Sequence, residues 1–270
     1  EVKDEDGNMS FKFKDKLDQV VLTRQIEGSV LYDTYYVYDD FGNQCFVLPP
    51  RINDEGITQN KLDELAYQYR YDGQNRCIAK KKPGCDWNYY IYDESDRPIF
   101  SQDGEQRTKQ EWMFSVYDAF NRVVLTGVCK NSFDYMANPL KTIVVKATWA
   151  GCTNTTKGYT VSGVTLISPI VLSANYYDSY NFMGINNILD STDTDFKPEI
   201  VENYGMQYKG GYKGLLTGTL TAQINTNGLI SSSYLYSVLY YDNRKRLIQT
   251  KSNNHLAGGI NKEYIAYDFT

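Results

Sequence analysis

Histidine, methionine and proline are scarce in this 270-residue chain, at one, five and seven copies, and cysteine is no richer at five. With His255 as the lone histidine, a Ser/His/Asp or Cys/His site would have to use it. It sits in Ser252-Asn-Asn-His-Leu-Ala-Gly-Gly259, a turn-like stretch suited to hydrogen bonding. Cys45, Cys77, Cys85, Cys129 and Cys152 are odd in number and fit no C-x-x-C zinc spacing. They read as small buried apolar residues, with a Cys77–Cys85 bridge as the alternative. No run approaches the ~20 apolar residues of a membrane helix, and Glu1-Val2-Lys3-Asp4 carries no leader signature. Net charge is −5 with the signs mixed. The only basic run, Lys80-Lys81-Lys82, is stopped by Pro83-Gly84, so no nucleic-acid face is expected.

What the chain has is tyrosine, 25 copies, beside 11 phenylalanines. That composition favours strands over helices. The tyrosines are ordered. Tyr67-Gln-Tyr-Arg-Tyr-Asp-Gly-Gln-Asn-Arg76, Tyr90-Ile-Tyr-Asp-Glu-Ser-Asp-Arg97 and Phe114-Ser-Val-Tyr-Asp-Ala-Phe-Asn-Arg122 repeat one pattern. The Tyr-Asp pair also appears at Tyr38-Asp39, Tyr177-Asp178, Tyr241-Asp242 and Tyr267-Asp268. The steps between the Asp residues are 33, 21, 25, 60, 64 and 26, and the two long ones are expected to hold extra or degenerate copies.

Three residues after the Asp come Gly42, Asn75, Asp96, Asn121, Asn181 and Lys245. Asp opening a type I turn accepts hydrogen bonds from the turn's own amides. A closing residue with φ > 0 then resets the strand register, and Gly, Asn and Asp tolerate that region. The pattern therefore predicts a β-hairpin turn with a bulge, with Lys245 the exception by residue type. Tyr67, Tyr69 and Tyr71 alternate, as do Tyr36 and Tyr38, and Tyr90 and Tyr92, placing each set on one sheet face. The Arg after the turn (Arg76, Arg97, Arg122, Arg246) is suited to lie on a neighbouring ring or to pair with a turn Asp.

The expected fold is all-β: antiparallel hairpins in an extended, curved or spiralling sheet. One helix is expected near 59–66, with Thr58 as N-cap. Ser101-Gln-Asp-Gly-Glu-Gln-Arg107 reads as an Asp-Gly turn, and 142–148 and 161–173 read as strands. Three segments are expected within one continuous scaffold: a hairpin block over 1–130, a diverged Ser/Thr/Val-rich segment over 131–205, and a second block over 206–270. Tyr267-Asp268-Phe269-Thr270 stops before its turn closes, so the chain reads as part of a longer protein.

These repeats resemble the YD repeats of the Rhs family. Pro83-Gly-Cys-Asp-Trp87 through Tyr92-Asp93, Asp96-Arg97 and Gln102-Asp-Gly-Glu-Gln-Arg107 resembles a segment of large surface Rhs proteins. So does Tyr240-Tyr-Asp-Asn-Arg-Lys-Arg-Leu-Ile-Gln-Thr250 with Asn254-His255 and Gly258-Gly259. The likeness covers about residues 30–128 and 213–270. It departs from the family's usual turn-closing Gly in five of six copies. The resemblance implies sheet ribbons spiralling into a hollow shell that encloses a C-terminal toxin, in a secreted or cell-surface protein. The family's aspartyl self-cleavage element is not found in this sequence.

The function expected is therefore a non-enzymatic scaffold whose partner is the rest of its own chain. The alternative is a surface adhesin binding glycan or protein through aromatics such as Trp87, Trp112 and Trp149. A hydrolase would need His255, or Asp93 with Asp96 as a carboxylate pair. Asp190, Asp193 and Asp195 offer oxygens at short spacing but lack the Gly and Glu of the helical calcium loop. Gly210-Gly-Tyr-Lys-Gly214 lacks a phosphate loop's Gly-Lys-Ser/Thr ending. No catalytic residue, metal or cofactor is expected.

Overall fold

Each step from one turn Asp to the next holds two strands of the main sheet, whatever its length, and the step from Asp118 to Asp178 holds a separate hairpin besides. The computed structural model describes residues 2, 3, 5, 8–53, 56–185, 189–224, 230–256 and 258–268. Phe269 and Thr270, on which the reading of an unfinished repeat rests, lie outside them. The described chain is nearly all antiparallel β, in two compact units: Glu1–Glu111 with Ser132–Thr142, and Trp112–Asn131 with Ile143–Thr270.

In the first unit nine strands meander in sequence order: β1 (Val2–Lys3), β2 (Met9–Lys14), β3 (Val20–Glu27), β4 (Val30–Tyr38), β5 (Gln44–Leu48), β6 (Tyr67–Tyr71), β7 (Cys77–Lys81), β8 (Trp87–Tyr92) and β9 (Pro98–Gln102). Helices α1 (Pro50–Asn53) and α2 (Gln59–Leu65) fill the connection from β5 to β6. The α2 N-cap is Thr58, whose hydroxyl accepts from the Lys61 N–H. Ile52, Leu62 and Leu65 pack with Phe46, Leu48 and Ala66 into a small apolar cluster. That burial, more than propensity, holds so short a helix.

After β9 comes helix α3 (Gly104–Thr108). This corrects the Asp-Gly turn expected there. Asp103 is an N-cap, and Asp103 and Gln106 form a reciprocal capping box that favours a helical turn over a two-residue hairpin.

In the second unit β10 (Trp112–Tyr117) and β11 (Val123–Cys129) lead to a separate hairpin, β12 (Lys146–Trp149) with β13 (Tyr159–Ser162). The main sheet resumes with β14 (Ile170–Tyr177), β15 (Leu216–Ile224), β16 (Ile230–Tyr241), β17 (Leu247–Asn253) and β18 (Ile260–Tyr264). Its order is β10-β11-β14-β15-β16-β17-β18. The strand expected over 161–173 is thus two strands. Gly163 at φ 89 and Ser168 at φ 46 leave the extended region and break it. Residues 142–145 likewise precede the strand expected over 142–148.

The two long steps hold insertions rather than extra repeat copies. Between Asp118 and Asp178 lie β11 and β14, separated by 130–169. Between Asp178 and Asp242 lie β15 and β16, preceded by 179–215. A register shift falls at the Tyr of the pair in the copies ending in Tyr38, Tyr71, Tyr92, Tyr117, Tyr177 and Tyr241, the bulge the turn chemistry requires. Among the described residues no helix is long and apolar enough to cross a membrane.

Candidate functional site

The repeated Asp residues close their own turns. At Asp93 one carboxylate oxygen accepts from the N–H groups of Ser95 (2.9 Å) and Arg97 (3.1 Å). The other accepts from the Arg97 guanidinium, Nε at 3.0 Å and Nη2 at 2.6 Å. Asp93 is fully buried. The same clamp joins Asp72 to Arg76, Asp118 to Arg122 and Asp242 to Arg246. At Asp39 the fourth residue is Asn43, whose amide takes the guanidinium's place at 3.0 Å. Asp15 accepts from Leu17 and Gln19 in a turn that has no Tyr and so escaped the sequence pattern.

Burial would raise the Asp72 carboxyl, but the Arg76 guanidinium and the Arg76 and Gln74 amides outweigh it and hold the group below its ordinary range. Asp242 is lowered in the same way by Arg246 and Arg244 against its burial. Residues Gly42, Asn75, Asp96, Asn121 and Lys245 all have φ between 59 and 84. Asn181 does not join them, which corrects the reading of that copy. Asp178 itself stands at φ 65.

Several tyrosines of the pair then tie their hairpin to the preceding one. Tyr71 Oη donates to the Gln44 carbonyl (3.0 Å), Tyr92 to Cys77 (2.9 Å), Tyr241 to Leu216 (2.5 Å) and Tyr267 to Leu247 (2.9 Å). Each acceptor opens the strand after the preceding turn. Burial pushes the Tyr71 phenol up to about 12, so it stays a donor. The turn arginines reach forward. Arg76 lies 5.1 Å from the Tyr92 ring centroid, Arg122 4.2 Å from Tyr177 and Arg246 4.5 Å from Tyr267. At these three both expected roles, ring contact and Asp pairing, are filled at once.

The turns also bond sideways along one sheet edge. Gln19 donates to the Gly42 carbonyl, Asn43 to Asn75, and Arg76 to Asp96 and to the Asp93 carbonyl. In the second unit Arg122 reaches Asp178 at 2.6 Å, and Asp178 accepts from the Gly214 amide at 2.5 Å.

The other residues singled out by sequence are dispersed. His255 is exposed in the turn before Gly259. Asp93 and Asp96 bond to different arginines. Asp190 accepts from Thr192, Asp193 caps Asp195, and Asp195 pairs with Lys262 at 2.8 Å. Among the described residues no three His, Cys, Asp or Glu side chains are grouped to hold a metal. All five cysteines are free, which removes the Cys77–Cys85 bridge. Cys129 is buried, whereas Cys85 is exposed. Gly210–Gly214 is a loop. Trp112 is buried, and the Trp87 ring lies under Arg70 at 4.3 Å.

Trp149 stands edge-on to Tyr159 (5.7 Å) and Tyr176 (5.9 Å). It lines a cleft of about 310 Å³ with Phe120, Lys146 and Tyr177. Phe120 was the residue sequence reasoning missed; the equivalent turn position is held elsewhere by Phe41, Gln74, Ser95 and Arg244, so the local pattern does not single it out.

No family model and no curated protein matches this chain in sequence. Among solved structures it is similar to the crystal structure of TcdB2-TccC3, with 13% identity and a TM-score of 0.38 over 95% of this chain. The TcdB2-TccC3-Cdc42 structure, and TcdB2-TccC3 without its hypervariable C-terminal region, give the same values. The chain spans 12% of the length of each of those chains.

Proposed function

We propose that this chain is a non-enzymatic wall segment of a larger secreted or cell-surface protein, a scaffold that encloses or presents another part of its own polypeptide. The observation that carries the reading is the clamp. The repeated Asp and Arg side chains are committed to closing turns and joining neighbouring turns, which leaves the repeated polar positions structural rather than reactive. The resemblance of the repeats to Rhs YD repeats supports the same reading.

The test uses the natural full-length protein. The scaffold predicts that segments attached to the sheet resist added protease, and that replacing the clamp arginines Arg76, Arg97 and Arg122 with Ala exposes them. Equal cleavage with and without the clamps contradicts the wall. So does a turnover abolished by His255→Ala or by Asp93→Asn with Asp96→Asn.

A further inference from the structure

The cleft of about 310 Å³ beside Phe120 is at the small end of the range for ligand sites. Its floor is closed: Val124, Ala147 and Tyr159 line it and are buried. Strand β12 packs against β10, so the cleft offers side chains rather than a strand edge.

Ring faces make its walls. Phe120 is 75% exposed, and its amide is held by Asp118 at 2.8 Å, which fixes the turn that displays the ring. The Arg122 guanidinium lies 5.0 Å from the Phe120 centroid and 4.2 Å from that of Tyr177, so a cation backs both rings. Trp149 is half-buried and held in place from behind. It stands edge-on to Tyr159 and Tyr176, and a Cβ on Gly158 would meet its ring at 2.2 Å.

Polar groups of both kinds stand among the rings. Thr148 is exposed, and its hydroxyl can donate and accept. The Asp118 and Asp178 carboxylates have lone pairs beyond those that Arg122 occupies. The charges are unequal. Both carboxylates share Arg122 at 2.6 Å, whereas Lys146 has no ion pair among the described residues.

We propose that this cleft binds a sugar acid, a pyranose that carries a carboxylate, at the end of a glycan chain. A pyranose has an apolar C–H face that packs on aromatic rings, hydroxyls that need donors and acceptors, and here a carboxylate that needs a cation. Phe120 and Trp149 take the C–H face, Thr148 and Asp178 the hydroxyls, and Lys146 the carboxylate. A peptide strand finds no free backbone to pair with. A lipid chain would bring hydrocarbon against Lys146 and two carboxylates.

The natural protein is titrated calorimetrically with oligosaccharides ending in glucuronate or in sialate, and with the same oligosaccharides after reduction of the carboxyl to the alcohol. Saturable binding of one or both acidic forms is expected, and which of them binds tighter names the sugar. The reduced form should bind about fivefold or more weaker. Phe120→Ala should weaken both forms about fivefold or more. Lys146→Gln should bring the acidic form down to the level of the reduced one and leave the reduced one unchanged. Phe41→Ala removes an equally exposed ring from the equivalent turn position in the first unit and should change neither.

The proposal is overturned if no acidic oligosaccharide binds below about 1 mM, or if the reduced form binds as tightly as the acid. It is overturned if Phe120→Ala or Lys146→Gln leaves the affinity for the acid unchanged, or if Phe41→Ala weakens it as much as Phe120→Ala does. It also fails if members of an array of end-blocked acidic peptides bind and the sugars do not. The wall reading stands or falls separately, on protease shielding.

Discussion

Asp93 and Asp178 each follow a Tyr at the end of a strand, yet one closes a five-residue turn and the other opens a detour of more than thirty residues. The difference lies four residues on. Arg97 reaches back to the Asp93 carboxylate, and the strand returns at once. At the equivalent place after Asp178 stands Phe182, which has nothing to donate. Its ring is buried and stacks on Tyr176 at 4.6 Å, and a Cβ on Gly218 would meet it at 2.1 Å.

The Asp178 carboxylate instead accepts from Arg122 of the preceding turn and from Gly214, where the detour ends. Asn43 gives the third case: neutral and short, it still donates to Asp39, and that turn stays tight. The Asp opens the turn, and the donor at its fourth following residue decides whether the chain comes straight back.

The detour is then fastened by its own chemistry. Phe196 packs on Tyr236 at 4.9 Å. Lys251, fully buried, donates to Glu199 at 2.7 Å, and Tyr264 donates to the other Glu199 oxygen at 2.6 Å. Lys251, with Tyr264 and Lys262, holds the Glu199 carboxyl well below its ordinary 4.5, at about 2.

The comparison can be broken first at Asp93. Asp93→Ala strands the nearly buried Arg97 and should cost about 3–5 kcal/mol in chemical denaturation. Asp178→Ala, at a more exposed carboxylate, should cost about 1 kcal/mol. Comparable losses at the two sites would remove the distinction. Phe182→Ala should cost about 3–5 kcal/mol and destabilise the second unit, because it empties a stacked core position.

Much of this was legible beforehand. Asn75, Asp96 and Asn121 announce φ > 0 by residue type, and Thr58 announces its helix. Lys245 also adopts φ 62, although lysine has no such preference, because the Asp242–Arg246 clamp imposes it. The detour was illegible because Asn181 satisfies the local turn rule while the missing donor at 182 cancels it. At 103–107 the Asp-Gly pair drew attention from the Asp103/Gln106 capping box, which was equally present in the sequence. The Phe120 cleft joins residues from three separated segments, and no local pattern shows that.

Smaller effects sharpen the picture. Lys245→Gly should raise stability by up to about 1 kcal/mol, since it removes left-handed strain and adds only Gly's unfolded-state entropy. Acid should weaken both units. Asp39, Asp72, Asp178, Asp242 and Glu199 all have folded values below their ordinary 3.8 or 4.5. A lowered carboxylate stabilises fully above its ordinary value, and the contribution is lost as pH falls through the folded one. The thermal midpoint should therefore be flat above pH 4.5 and drop towards about 2, with Glu199→Gln flattening part of the drop. Phe120→Ala should leave stability within about 0.5 kcal/mol, as befits a displayed ring.

The most direct test of the clamp is a double-mutant cycle on Asp93 and Arg97, read by urea denaturation of the single and double Ala variants. The clamp predicts a coupling of about 1.5–3 kcal/mol. A coupling below about 0.5 kcal/mol would mean that the two side chains contribute independently and that the turn closes without them.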